Sequence, residues 1–68
     1  MHEYREELGL TKVELARLAS LSDKTIARVE RSAQQFRSVT YRKILIALNR
    51  ARRQQGLPDL KYDQVYPD

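Results

Sequence analysis

Cysteine is absent from the 68 residues, which excludes both a disulfide framework and a Cys-based zinc site. Tryptophan is absent too, and the single histidine, His2, stands at the start of the chain. A lone terminal histidine reads as a solvated side chain, so no metal site is expected. No stretch approaches the roughly 18 apolar residues of a membrane span, and no charged-then-apolar signal segment opens the sequence. A cytoplasmic protein without membrane contact is therefore expected. A Gly-rich phosphate loop and a His/Cys nucleophile set are also missing. A single domain of this length buries about 60% of its unfolded surface, which leaves little core for an enclosed active site. The chain is expected to be no enzyme, with no cofactor and no small-molecule effector.

What the sequence does have is positive charge in one place. Residues 1–21 carry three basic and four acidic groups, a net of −1, whereas residues 22–53 carry nine basic and two acidic, a net of +7. Residues 54–68 carry one basic and three acidic groups, a net of −2. The overall charge of +4 is thus concentrated in the middle of the chain, as expected of a face that meets a polyanion.

The densest local signals lie in Thr11 to Ser32, TKVELARLASLSDKTIARVERS. Thr11 is a good N-cap with Glu14 three residues on, a capping box, and Leu10 is placed to staple onto Leu15. Ser22 repeats the arrangement, with Leu21 before it and Ile26 as the staple partner. These signals predict two helices, over about 12–19 and 23–31, joined by a short turn. In the first, Leu15, Leu18 and Ala19 are expected on the buried face; in the second, Ile26 and Val29 are buried while Asp23, Lys24, Thr25 and Arg28 point outward.

Around this pair the chain reads as more helix. Met1, Tyr4 and Leu8 at helical spacing predict a helix over about 1–8 ended by Gly9 in the left-handed region, with Arg5 bordering its apolar face. RSAQQFRS, residues 31–38, reads as a loop with Phe36 plugging the core. Tyr41, Ile44, Leu45 and Leu48 predict a long helix over about 40–55, capped by Thr40 with a Val39–Ile44 staple or started earlier by Ser38, and stopped by Gly56 and Pro58. Ile46 falls roughly opposite that apolar stripe, near Arg42 and Arg53. The tail, with Leu57, Leu60, Tyr62, Val65 and Tyr66, is expected to form a short helix at about 61–65 or an extended segment across the others. No sheet is expected. The fold class is all-α, a small single-domain bundle of four to five short helices.

The central stretch resembles the helix-turn-helix of the lambda-type phage repressor and Cro family, the XRE-like transcription regulators. The resemblance is carried by Thr11, Glu14, Leu15, Ala16, Ala19, Leu21, Ser22, Thr25, Ile26, Arg28, Val29 and Glu30, and covers about residues 4–48. The closing LKYDQVYP is similar to that family's last short helix. Ser20 and Ser32 stand at turn positions where the family often has glycine, and a non-glycine residue in the left-handed region costs about 1 kcal/mol. The long helix also continues further than is usual in the family.

The resemblance implies a bacterial or phage regulator that binds double-stranded DNA sequence-specifically, as a homodimer whose half-sites lie about 34 Å apart. It implies base contacts by Asp23, Lys24, Thr25 and Arg28, phosphate contacts by Lys12 and the loop after the second helix, and a structural pairing of Arg5 with Glu30. Arg28 suits a bidentate contact to guanine, Lys24 guanine or phosphate, and Thr25 a thymine methyl or a polar partner. Asp23 either accepts from cytosine N4 or serves the helix start through the macrodipole. Lys12, Arg31, Arg37, Arg42 and Lys43 are assigned to phosphates, with Gln34, Gln35 and Thr40 as neutral donors; Arg50, Arg52 and Arg53 read as a solvated helix end. The competing reading is a protein-interaction module of the same fold, antitoxin-like or for assembly, that uses Ile46 and the aromatic tail.

Overall fold

The computed structural model describes residues 2–31 and 38–66. Five helices follow one another: α1 His2–Glu7, α2 Lys12–Ala19, α3 Asp23–Arg31, α4 Ser38–Gln54 and α5 Tyr62–Val65, with no strand among the described residues. None of these helices is long and apolar enough to cross a membrane. Phe36, Ser32, Gln34, Gln35 and Arg37 lie outside the described residues.

α2 starts as its cap dictates. Glu14 N–H donates to Thr11 Oγ1 at 3.1 Å and Thr11 N–H donates to Glu14 Oε1 at 3.0 Å, which closes the capping box. The donated Thr11 N–H holds the Glu14 carboxyl below the usual carboxylate range, so this contact is present at neutral pH and weakens as acid protonates Glu14. The helix ends at Ser20, whose φ of 57° and ψ of 42° are left-handed. The Leu21 amide reaches back to the Ala16 carbonyl at 2.8 Å and the Ser20 amide to Arg17 at 3.2 Å, the two bonds of a Schellman turn. The same pair of bonds ends α1 through Gly9 (φ 72°) and α4 through Gly56 (φ 76°). Ser20 therefore occupies a position that the other two turns give to glycine.

Leu15, Ile26, Val29, Ile44 and Leu48 are the largest fully buried side chains, one cluster shared by α2, α3 and α4. Each such side chain contributes about 1.5–3 kcal/mol relative to an exposed one. Leu18 departs from expectation at 42% exposed, because Ala16 joins Leu15 and Ala19 on the buried face and helical rotation carries position 18 off it. α4 starts at Ser38 rather than Thr40, so Val39 lies inside the helix opposite the buried Tyr41 and Ile44, 60% exposed, and no staple to Ile44 forms. Leu45 is half-buried at the edge of that stripe.

The chain after α4 folds back onto it. Asn49 and Leu60 exchange two hydrogen bonds, Asn49 Nδ2 to the Leu60 carbonyl at 3.1 Å and Leu60 N–H to Asn49 Oδ1 at 2.7 Å. Tyr41, Tyr62 and Tyr66 form a three-ring cluster, with centroids 4.6 Å apart for Tyr41–Tyr66, 5.1 Å for Tyr62–Tyr66 and 6.4 Å for the edge-on pair Tyr41–Tyr62. Tyr66 donates its hydroxyl to the Tyr41 carbonyl at 3.3 Å, and burial pushes that hydroxyl's pKa up. Of the two conformations open to the tail, the short helix is the one adopted.

Arg52 corrects the reading of a solvated helix end. Its side chain is 8% exposed; Nε donates to the Pro58 carbonyl at 2.7 Å and Nη1 to Glu7 Oε1 at 2.8 Å. Next to it, Arg53 is exposed and pairs with Asp59 at the surface. Replacing Arg52 by Ala is expected to lower the unfolding free energy by about 2–3 kcal/mol in a denaturant titration, whereas Arg53→Ala leaves the midpoint essentially unmoved, as exposed pairs do. Ser20→Gly, which relieves the left-handed strain but loosens the unfolded chain, is expected to stabilise by about 0.5–1 kcal/mol in the same titration.

Candidate nucleic-acid interface

α3 is started by a serine whose hydroxyl does two things. Ser22 Oγ accepts the Thr25 N–H at 3.2 Å and lies 2.9 Å from Thr25 Oγ1, the two hydroxyls sharing a hydrogen bond. One of the orphan amides of the first turn is thereby satisfied. Leu21 is half-buried and Ile26 fully buried, the positions of a hydrophobic staple.

With the start set, rotation of about 100° per residue distributes the remaining side chains. Ile26 and Val29 anchor the helix at 0% and 1% exposure. On the opposite side Lys24, Arg28 and Arg31 are exposed, with exposed Asp23 and half-buried Thr25 on the two borders of that stripe. Three cations and one carboxylate make this face net positive, and Asp23, as the first helical residue, also sits where the macrodipole favours a negative charge. Lys12 is exposed at the first position of α2, and Arg42 and Lys43 are exposed on the first half of α4, where Thr40 is half-buried.

The far end of α3 is held by α1. Arg5 donates from Nε to Glu30 Oε2 at 2.7 Å, from Nη2 to Glu30 Oε1 at 3.2 Å and from Nη1 to the Leu10 carbonyl at 2.9 Å. The two side chains are 11% and 8% exposed, a nearly buried fork in which both partners are charged. The hydrogen bonds to Glu30 hold the Arg5 pKa above its ordinary value against the opposing effect of burial.

Arg52 plays a corresponding part through Glu7, the last residue of α1, and its role has a legible signature. The sequence Arg-x-x-x-Gly-Leu occurs at 5–10, REELGL, and again at 52–57, RRQQGL. In both, the arginine carbonyl accepts the leucine amide of a Schellman turn, Leu10 to Arg5 at 3.2 Å and Leu57 to Arg52 at 2.8 Å. In both, the guanidinium then donates to a carbonyl just past the turn and to a glutamate. Gln55 adds a bond to the Leu8 carbonyl at 3.1 Å. Of the features assigned to a protein-interaction module, Ile46 is 59% exposed, but the tail's tyrosines pack on Tyr41, leaving Tyr62 39% exposed.

A family model described as "Helix-turn-helix" matches residues 1–54, a span that holds α1 to α4 and leaves the tail beyond it. Neither the curated proteins nor the solved structures yield a match.

Removing one member of the Arg5–Glu30 pair strands the other charge. Arg5→Ala or Glu30→Ala alone is expected to cost about 3–5 kcal/mol, and the double substitution Arg5→Met with Glu30→Met to recover most of it. A thermodynamic cycle by urea unfolding measures both; additive losses in the double variant would show that the pair is not coupled.

Proposed function

Since the chain belongs to the lambda-repressor-like (XRE) helix-turn-helix family, whose members are regulators that bind double-stranded DNA, we propose that it is a sequence-specific DNA-binding transcription regulator that places α3 in the major groove. The observation that carries this reading is the two-sidedness of α3: Ile26 and Val29 bury one side completely while Lys24, Arg28 and Arg31 line the other. A helix held by its apolar side and offering cations along the opposite one is shaped for a groove about 12 Å wide.

In this reading Arg28 forks onto guanine O6 and N7, Lys24 reaches guanine or a phosphate, and Thr25 meets a base edge; Asp23 serves cytosine N4 or the helix start. Lys12, Arg31, Arg42 and Lys43 grip phosphates, joined by Thr40 and by Gln34, Gln35 and Arg37 of the connecting segment, and these contacts set register without reading sequence. One copy contacts too little DNA to bind tightly, so two copies on half-sites about 34 Å apart complete the assembly. A second reading, a protein-docking module of the same fold, is favoured by the exposed Ile46 on α4. Retention on a DNA column that falls with salt separates the two, since a docking module is indifferent to DNA.

Selection of bound sites from random DNA at fixed salt is expected to return a two-fold symmetric consensus. Against it, Arg28→Ala is expected to lose about 1–3 kcal/mol of preference for the selected base over the others. Lys43→Ala is expected to weaken selected and random DNA alike and to reduce the slope of log K against log salt by about one. Equal loss on both DNAs for Arg28→Ala would remove Arg28 from the reading role.

A further inference from the structure

We propose that the outer face of α4 docks an acidic amphipathic helix of a partner protein, and that this helix and DNA exclude one another. Val39 and Ile46 are its apolar anchors, and Arg42, Lys43 and Arg50 its ion-pairing flanks. The docking face stands on its own geometry, whereas the exclusion rests on the reading of Arg42 and Lys43 as phosphate grips.

α4 buries Tyr41, Ile44, Ala47, Leu48, Ala51 and Arg52 along one side. At about 100° per residue, Val39 and Ile46 fall within about 20° of each other on the opposite side. They are 60% and 59% exposed. A single exposed aliphatic residue needs no explanation. Two β-branched ones, a heptad apart on the midline of one helix face, repeat the spacing by which one helix docks along another. Their stiff χ1 torsions leave little rotamer freedom to lose on docking. The same rotation places Arg42 and Arg53 on one flank of this midline and Lys43 and Arg50 on the other, all four exposed.

The charge on the flanks selects the occupant. α4 contains no carboxylate. Arg53 is answered by Asp59, while Arg42, Lys43 and Arg50 make no ion pair among the described residues. An occupant must therefore cover two aliphatic side chains and answer three cations. A DNA backbone answers the cations and leaves the aliphatic pair in water. A second copy presenting the same face would set these cations against their own counterparts. Its acidic helix, α1, exposes Glu3, Glu6 and Glu7 but no large apolar residue. A lipid surface needs a broader apolar face than two side chains. A helix with aliphatic residues seven apart and Asp or Glu beside them meets both demands, as in a coiled-coil seam with charged edges. Once docked, it occupies Arg42 and Lys43, so the partner withdraws the protein from DNA.

The test is affinity selection from a library of displayed amphipathic helices randomised on one face, with the Ile46→Gln variant as counter-selection. The expected consensus has aliphatic residues seven apart flanked by Asp or Glu. The enriched peptide, synthesised and labelled, is expected to bind Ile46→Gln about tenfold more weakly than wild type. Arg50→Ala is expected to weaken it about two- to fivefold at low salt. Both side chains are exposed and neither is assigned to DNA, so both variants are expected to keep wild-type unfolding midpoints and DNA affinity. Saturating peptide is expected to release DNA from the wild-type protein. No enrichment, a consensus without carboxylates, or equal binding to Ile46→Gln would overturn the docking face. A dimer of the free protein that Ile46→Gln dissociates, seen by sedimentation, would give the face to a second copy and overturn it too. So would Ile46-dependent binding to phosphatidylglycerol vesicles, which would give it to a lipid surface. A ternary complex of protein, peptide and DNA would overturn the exclusion alone. Failure to bind any DNA would overturn the exclusion together with the DNA reading, and the peptide measurements would still decide the docking face.

Discussion

A nearly buried arginine keeps its charge, so the fold has to supply it with acceptors, and Arg5 is supplied by three: both oxygens of Glu30 and the Leu10 carbonyl. Glu30 lies in the last turn of α3, and Leu10 immediately precedes the Thr11 that caps α2. One guanidinium thus relates the end of α3 to the start of α2. The apolar core presses α2, α3 and α4 together, but side chains such as Ile26 and Val29 tolerate sliding far better than a fork of directed hydrogen bonds does. Packing supplies most of the cohesion, and the ion pair narrows the geometry within which that packing settles.

α1, only six residues long, would be marginal alone. It is kept in place at several points: Arg5 toward α3, Glu7 toward Arg52, the Leu8 carbonyl toward Gln55, and Tyr4, whose hydroxyl reaches the Gln64 carbonyl at 3.4 Å. The duplicated arginine turn explains how so small a molecule spares two guanidinium groups from solvent. In each turn the arginine's own carbonyl receives the backbone amide of the leucine while its side chain satisfies a carbonyl beyond it, so few polar groups are left over. Among the described residues, every buried side-chain nitrogen and oxygen has a partner.

Most of the helices were readable because their signals are local. Capping boxes, staples and glycine stops act over three to five residues, and Thr11, Ser22, Gly9 and Gly56 each specify a boundary without help from distant chain. The departures arise where tertiary packing decides. Leu18 looks like a core residue until Ala16 takes the inward position that close approach of the helices allows. Arg52 looks like a solvated cation until α1 and the returning tail enclose it, and only the recurrence of Arg-x-x-x-Gly-Leu hints at that. The outward residues of α3 were readable for the same local reason as the helix itself. The bond between Ser22 and Thr25 was not, since sequence spacing shows that a cap is present but not which way the neighbouring hydroxyl turns.

The cluster formed by Tyr41, Tyr62 and Tyr66 has an optical consequence. With no tryptophan in the chain, its near-ultraviolet absorption and emission come mainly from four tyrosines, three of which lie in contact at the seam between α4 and the tail. Rings held in fixed, tilted contact produce a near-ultraviolet dichroic signal that fades when side-chain packing loosens, even if the helices persist. The far-ultraviolet spectrum reports all five helices at once. The protein therefore carries two separable spectral channels, one for the docking of its tail and one for its helical content, with no dye or added probe.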